Sequence, residues 1–323
     1  MRRFSTLLIL GLVCTLLLGC SQSSNPSATE QSDESGETEI QLRLAVLSPG
    51  MAVMLRDLGY EDQIVAKHDY DIVLSDQVPA AGSALGFDLE MLIDVDPTHL
   101  FFQKTYTPLP PTLLELASDR GWVIFERPLN NLDDIAMTMD DLYYLFDGPP
   151  ERETQKMNLN VNMDDVLMRE TPSMKLAMSW DDLGPVADAA GRVLVLGSVD
   201  PIGAMGPGSY HYELVERLGA QNAIEDGGMW IEMDAEDLIQ LNPDSILYIA
   251  PRQNSETSSR FGDPLPWSIE RIQQALGPIS SLPISANEHQ KLAIIDHPLG
   301  LLPSGALGEV ADQIRDAFVD WEK

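Results

Sequence analysis

Aromatic and histidine side chains are the residues of this 323-residue sequence whose chemistry points to ligand binding. Several of them fall in loops that follow predicted strands, and parallel α/β sheets bind ligands beyond the carboxyl ends of their strands. Aromatic faces suit a broad, planar ligand, and a few polar groups would orient its edge. Packing in a core is the competing explanation for each single aromatic residue. We expect ligand contacts from Ser48, Met51, Tyr106, Tyr210, His211, Trp230, Arg252 and Trp267.

The five histidines are scattered along the chain, without an HExxH motif or any paired spacing. A site built in three dimensions from His68, His211, His297 and a carboxylate would bind zinc or manganese directly. Isolated histidines are more often exposed or bonded locally. We therefore expect no metal site, and direct metal-ion binding stays as the alternative.

Motifs for catalysis are missing from the sequence. There is no Gly-Xaa-Ser-Xaa-Gly element, and the glycine-rich stretch GAMGPGSY, residues 203–210, lacks the lysine of a phosphate-binding loop. The formal charge of −31 argues against a nucleic-acid partner, because phosphate binding needs lysine and arginine. The two cysteines, Cys14 and Cys20, exclude a disulfide within the chain that follows them. We predict a binding protein and not an enzyme.

The first 39 residues read as a leader and a tether. Arg2 and Arg3 precede an apolar run, residues 7–18, and the sequence Leu-Leu-Gly-Cys that ends at Cys20 resembles a bacterial lipobox. We predict a lipoprotein signal peptide over 1–20, with lipid attached to Cys20, followed by a disordered acidic tether over 21–39. A signal peptide cut elsewhere, or an uncleaved anchor, is the alternative.

One segment of the chain occurs twice. Residues 88–102, DLEMLIDVDPTHLFF, align without gaps to residues 234–248, DAEDLIQLNPDSILY, with five identical positions. Each copy predicts an Asp N-cap, a short amphipathic helix, a proline that ends it, and an apolar strand. RLAVL from Arg43 is likewise echoed by RVLVL from Arg192. The repeat predicts two related βα lobes.

Strand and helix patterns alternate through both halves, which is typical of an α/β fold. We predict two Rossmann-like lobes with central, mostly parallel sheets, over 40–150 and 192–323, and a ligand cleft between them. Residues 151–191 are predicted as a helical connector, although Pro172 and Pro185 interrupt its pattern. Residues 197–209 are predicted as a glycine-rich loop.

The motifs SPGMAVMLRDLG, VPAAGS, the two repeat copies and HPLGLLPSG together resemble the substrate-binding proteins of ABC importers. The resemblance covers nearly all of residues 43–318. Within this class of proteins, the sequence is similar to the branch that binds cobalamin, haem and iron–siderophore complexes. It implies two lobes joined by one long helix, with a metal chelate held in the cleft and no intrinsic cofactor. It also implies a lipid-anchored, extracytoplasmic monomer that binds the membrane subunits of an importer.

The same resemblance assigns a role to the paired glutamates of the repeat. It implies that Glu90 and Glu236, one in each lobe, dock onto arginines of the importer. The alternative is that each carboxylate only stabilises its helix through the helix dipole.

Cations near the predicted cleft are few, with Arg252 and Arg260 the main candidates, which weighs against a highly anionic siderophore. A surface lipoprotein enzyme, or a sensory or scaffold protein on the same fold, is a further alternative.

Overall fold

A computed structural model of the chain describes residues 41–83, 85–146, 171–180, 182–250 and 268–323. The predicted signal peptide, tether and most of the helical connector lie outside these residues, as do Arg252, Arg260 and Trp267. Residues from Leu42 onward form one unit.

The first sheet has four parallel strands in the order β2-β1-β5-β6. They are β1 (Leu44–Leu47), β2 (Ile64–Lys67), β5 (His99–Gln103) and β6 (Val123–Arg127). The strand β1 is buried along its whole length, which is why its sequence LAVL is continuously apolar. A small separate hairpin consists of β3 (Gly82–Ser83) and β4 (Gly86–Phe87).

Four helices accompany this sheet: α1 (Pro49–Asp57), α2 (Leu89–Val95), α3 (Pro111–Arg120) and α4 (Leu132–Phe146). Local signals explain where they begin. The side chain of Ser48 caps α1 and that of Asp88 caps α2, and both α1 and α3 have proline in their first turn.

The second sheet is mixed. Its strands are β7 (Arg192–Val199), β8 (Ile202–Met205), β9 (Gln221–Asn222), β10 (Trp230–Met233), β11 (Ser245–Ala250) and β12 (Leu292–Asp296). Their order is β10-β8-β7-β11-β12, with β9 beside the start of β7. The central strands β7, β11 and β12 are parallel, whereas β8 and β10 run antiparallel to their neighbours.

The helices of the second half are α5 (Pro172–Ala177), α6 (Pro185–Asp188), α7 (Tyr210–Arg217), α8 (Ala235–Leu241), α9 (Ile269–Leu276), α10 (Ser285–Glu288) and α11 (Leu307–Glu322). Pro172 and Pro185 each occupy the first turn of a short helix. They therefore begin helices here and do not interrupt a longer one. A proline in the first turn removes no helical hydrogen bond, because backbone N–H groups there have no partner within the helix.

The prediction of a loop over 197–209 was wrong. Residues up to Val199 extend β7, and Ile202–Met205 form β8, so the segment is mainly a hairpin of the sheet. Gly197 and Gly203 suggested a loop, but they lie within strands where the ring of Trp230 occupies the space of a side chain.

The predicted α/β fold class is confirmed, and the two copies of the repeat adopt the same structure. The helices α2 and α8 each have seven residues, an Asp N-cap and a left-handed C-cap, at Asp96 and Asn242. Asparagine and aspartate tolerate this conformation better than most residues.

The two sheets share one buried cluster. It contains Leu44 and Phe101 from the first sheet and Val195 and Ile249 from the second, together with residues of α1, α4, α7 and α11. A continuous apolar core of this kind resists relative movement of the two halves.

Candidate ligand-binding site

Two cavities lie at the carboxyl ends of the parallel strands, where this class of sheet binds ligands. The first, the inter-lobe cavity, has a volume of about 340 Å³ and lies between Leu129 and Asn130 of the first half and Trp230 of the second. The second, the N-lobe cavity, has about 330 Å³ and lies entirely in the first half. Gln103, the last residue of β5, lines both, so the two cavities are neighbours.

Trp230 forms the floor of the inter-lobe cavity on the second-lobe side. It begins β10 and pairs with Met205 of β8 across the sheet. A Cβ on Gly203 would overlap Cζ2 of the indole, and one on Gly197 would lie 2.8 Å from its Cζ3. The ring thus packs directly on two residues without side chains. It is still 46% exposed, and that open surface borders the cavity.

Two side chains of α7 attach the loop after β12 to the cavity wall. The hydroxyl of Tyr210 donates to the carbonyl of Leu301 at 2.7 Å, and Nε2 of His211 donates to the carbonyl of Gly300 at 2.6 Å. The two rings are in contact, with centroids 4.4 Å apart. Leu301 lines the cavity, so these bonds set the position of its wall.

The hydrogen bond to Gly300 defines the state of His211. A carbonyl can only accept, so Nε2 carries the proton and Nδ1 of the neutral ring is an acceptor. Nδ1 is buried and has no hydrogen-bond partner among the described residues. Burial lowers the pKa of His211 to about 4, despite the opposing effect of the Gly300 carbonyl. Burial likewise raises the pKa of Tyr210. Both groups are neutral at physiological pH.

Polar contacts between α7 and α4 hold the other side of the cavity. The carboxylate of Glu213 accepts from the backbone N–H of Leu132 at 2.9 Å, which supplies a cap for the first turn of α4. Arg217 of α7 pairs with Asp133 at 2.7 Å. Because α4 belongs to the first half and α7 to the second, these bonds join the two halves beside Leu129 and Asn130.

The N-lobe cavity is lined by mostly neutral polar groups together with apolar side chains. Ser48, His68, Thr105 and Thr107 contribute polar groups, and Leu85 closes one side. Burial lowers the pKa of His68, against the raising effect of Asp69 and Asp71. Leu85, which lines this cavity, is exposed, as is Tyr70, whose ring lies 5.8 Å from that of His68.

Charge is sparse in both cavities. Within the described part of the chain, their lining includes one carboxylate, Glu126, and no lysine or arginine. The polar groups are hydroxyls, amides and imidazoles, which hydrogen-bond to neutral ligand groups without a large desolvation cost.

The structure brings some of the predicted contacts together. Tyr210, His211 and Trp230 line the inter-lobe cavity, and Ser48 lines the N-lobe cavity while it caps α1. Tyr106 is fully exposed between two residues of the N-lobe cavity. Met51 is fully buried in the shared core and lines neither cavity. Arg252 and Trp267 lie outside the described residues.

Other lining residues were not singled out from the sequence. Gln103, Asn130, Met205, Met229 and Leu301 have side chains of common surface or core types. The positions of Gln103, Met205 and Leu301 at or just after strand ends carried a signal, because strand ends in a parallel sheet converge on the ligand site.

The three histidines of the alternative metal site lie in separate local environments. His68 accepts from the backbone N–H of Tyr70, His211 bonds Gly300, and His297 bonds Glu309 at 3.0 Å. Among the described residues no group of three or more His, Cys, Asp or Glu side chains is placed to hold a metal ion.

A third cavity, of about 620 Å³, lies between α1, α4, α5 and α11, away from Gln103 and Trp230. Residues 147–170 join α4 to α5 in the sequence and are outside the described chain. We assign no ligand to this cavity.

Solved structures with a similar fold include periplasmic binding proteins. The chain is similar to the periplasmic vitamin B12 binding protein BtuF of Vibrio cholerae, with 16% identity, a TM-score of 0.57, and coverage of 87% of this chain and 98% of that one. The periplasmic haem-binding protein HutB of Vibrio cholerae gives 17% identity, a TM-score of 0.58, and coverage of 85% and 98%. An ABC transporter substrate-binding protein from Listeria monocytogenes has 18% identity and a TM-score of 0.54, with coverage of 87% of this chain and 99% of that one.

No protein-family model and no curated protein matches the sequence. The structural neighbours confirm the expected resemblance at the level of the fold, which is that of two-lobe periplasmic binding proteins for iron, haem and vitamin B12. In the described part of the chain, no helix is both long enough and apolar enough to cross a membrane.

Proposed function

We propose that this protein is an extracytoplasmic binding protein that captures a metal chelate between its lobes and delivers it to an ABC importer. The observation that carries the proposal is Trp230, whose indole is packed on Gly197 and Gly203 and keeps an open surface beside the inter-lobe cavity. A preformed aromatic surface of this kind binds a flat ligand with little loss of conformational freedom.

The rest of the cleft supports a planar chelate as the ligand. Each cavity falls within the volume range of small-molecule sites, and together they offer apolar surface around a few neutral polar groups. Structural neighbours bind vitamin B12 and haem. We extend this chemistry to the present chain as a corrinoid, a haem or a ferric siderophore, and we propose no enzymatic activity.

Delivery requires a contact with the importer, and the paired glutamates are our candidates for it. Glu90 and Glu236 are exposed at the starts of α2 and α8, and neither carboxylate makes an ion pair with another described residue. Two free carboxylates, one in each lobe, suit a pair of arginines on two related subunits.

We also propose that the protein acts as a monomer attached to the membrane through lipid on Cys20, with residues 21–39 as a flexible spacer. Several acyl chains on one residue anchor a protein stably, whereas a single chain binds only marginally.

A thermal-shift screen of residues 40–323 tests the ligand class, with cyanocobalamin, haemin, a ferric siderophore, Zn²⁺ and Mn²⁺ as separate probes. A ligand at a hundredfold its Kd should stabilise the protein by about 2.7 kcal/mol. Stabilisation by one chelate supports the proposal. Stabilisation by a bare metal ion alone would replace it with direct metal binding, and no shift with any probe would favour a scaffold role.

A further inference from the structure

Each copy of the repeat exposes an isoleucine next to its glutamate. Ile93 of α2 is 36% exposed and Ile239 of α8 is 40% exposed, and they occupy the same position in the two copies. The neighbouring Leu92 and Leu238 are fully buried and attach each helix to its sheet. Residues three apart on a helix share a face, so the isoleucine and the preceding glutamate lie side by side on the outer surface.

Contacts at the other end of each helix show which way these faces are oriented. Arg43, just before β1, donates to carbonyls at the end of α2, and Arg192, at the start of β7, donates to carbonyls at the end of α8. The helices therefore end at the amino edges of the parallel strands. Their first turns, with the glutamates, lie toward the carboxyl edges, where the ligand cavities are.

The exposed isoleucines are not needed by the fold that is described. A side chain on the outer face of a short helix gains little from its own protein, and polar residues are the usual occupants of such faces. Single exposed apolar residues are common on protein surfaces. Here the same residue is exposed at equivalent positions of two lobes, and in each case a free carboxylate adjoins it.

We propose that Ile93 and Ile239 are apolar anchors that insert into the membrane subunits of the importer, one in each of two related subunits. This inference rests on the proposed function and deepens it by naming the contacts that accompany the glutamates. The acidic first turns, with Glu90 in α2 and Glu236 and Asp237 in α8, select a partner surface that offers a cation beside an apolar pocket. Interfaces commonly combine an apolar centre with such a polar rim.

The experiment measures binding of the purified protein to the ABC importer of its source organism, reconstituted in nanodiscs. The test variant carries Ile93→Ala and Ile239→Ala together, because alanine removes the apolar bulk and preserves helix propensity. Met137→Ala with Val319→Ala is the matched control, since both side chains are exposed on α4 and α11. A Glu90→Ala, Glu236→Ala variant runs in parallel.

We expect the isoleucine variant to raise the Kd for the importer by about tenfold or more, as the loss of a buried aliphatic side chain predicts. Its melting temperature and its affinity for the chelate should match those of the control variant. If the isoleucine variant binds the importer with the same Kd as the wild-type protein while the glutamate variant binds more weakly, the proposed role of the isoleucines is wrong. The proposed function would then remain intact. Failure of the wild-type protein to bind the importer would overturn both.

Discussion

The guanidinium of Arg43 donates from Nε to the backbone carbonyl of Val95 at 3.0 Å, and this bond joins the start of the first strand to the end of the first repeat helix. The second half repeats it, since Arg192 donates from Nη1 to the carbonyl of Leu241 at 3.3 Å. A cation at the end of a helix satisfies free carbonyls and complements the helix dipole. The bond therefore fixes the direction of each helix relative to its sheet and places the paired glutamates at the opposite end.

Trp230→Ala should weaken chelate binding by about tenfold or more, because the open indole surface contributes one to a few kcal/mol to a stacked ligand. The melting temperature should change little, since the side chain is partly exposed. Titration by fluorescence or calorimetry measures the affinity. Tyr144→Ala, at an exposed aromatic residue on α4, is the control. Unchanged affinity, or a collapse of the melting temperature, would make Trp230 a packing residue.

Gly203→Ala should weaken the same binding through Trp230, because the new methyl group would displace the indole from the sheet. The double-mutant cycle is the decisive measurement. In a Trp230→Ala background the alanine at position 203 should have no further effect on affinity. Additive losses would mean that Gly203 acts independently of the ring. Gly305→Ala, at a residue that lines neither of these two cavities and where a Cβ would meet nothing closer than 3.4 Å, serves as the control substitution.

Glu90→Ala combined with Glu236→Ala should leave chelate affinity and melting temperature nearly intact while uptake through the importer falls sharply. Both side chains are exposed, so each contributes only about half a kcal/mol through the helix dipole. Uptake of labelled chelate by cells with equal amounts of each variant is the measurement. Normal uptake by the double variant would reduce the two residues to helix-stabilising charges.

Stability should depend on pH through His211. Its folded pKa of about 4 lies below the ordinary value of 6.5, so the unfolded chain takes up the proton first. The contribution of neutral His211 to the free energy of unfolding is complete above pH 6.5. It is lost as the pH falls toward 4, by roughly 3 kcal/mol at most. Denaturant unfolding at several pH values measures it.

His211→Gln is the comparison for that measurement, because glutamine keeps a donor for the Gly300 carbonyl but does not titrate. The carboxylates are the same in both proteins, so the difference between the two stability curves isolates the histidine. Curves that stay parallel from pH 6.5 to 4 would contradict the buried, neutral state of His211.

Cys20→Ser should move the protein from the membrane fraction to the soluble fraction, because the serine cannot carry the acyl chains that anchor it. Cell fractionation with mass spectrometry of the mature N-terminus checks this. Cys14→Ser lies within the predicted signal peptide and should remain in the membrane fraction. A Cys20→Ser protein that is correctly cleaved and still sediments with membranes would overturn the predicted lipobox.

The sequence by itself determined the features that depend on neighbouring residues. The N-caps Asp88 and Asp234, the short helices that follow, and the apolar strands after them all result from local periodicity and capping. The internal repeat added the relation between the two halves. These signals were sufficient for the α/β class and for most of the strands and helices.

Only the tertiary structure decided how residues far apart in the sequence use their side chains. Met51 resembled a cleft residue but fills the shared core, and His211 became a buried, neutral group through the carbonyl of Gly300. Gly197 and Gly203 predicted a loop from the sequence. In the structure they lie in strands, and the ring of Trp230, about thirty residues away, packs on them. Each outcome depends on a partner that no local pattern identifies, because packing and hydrogen bonding join residues by distance in space and not by distance along the chain.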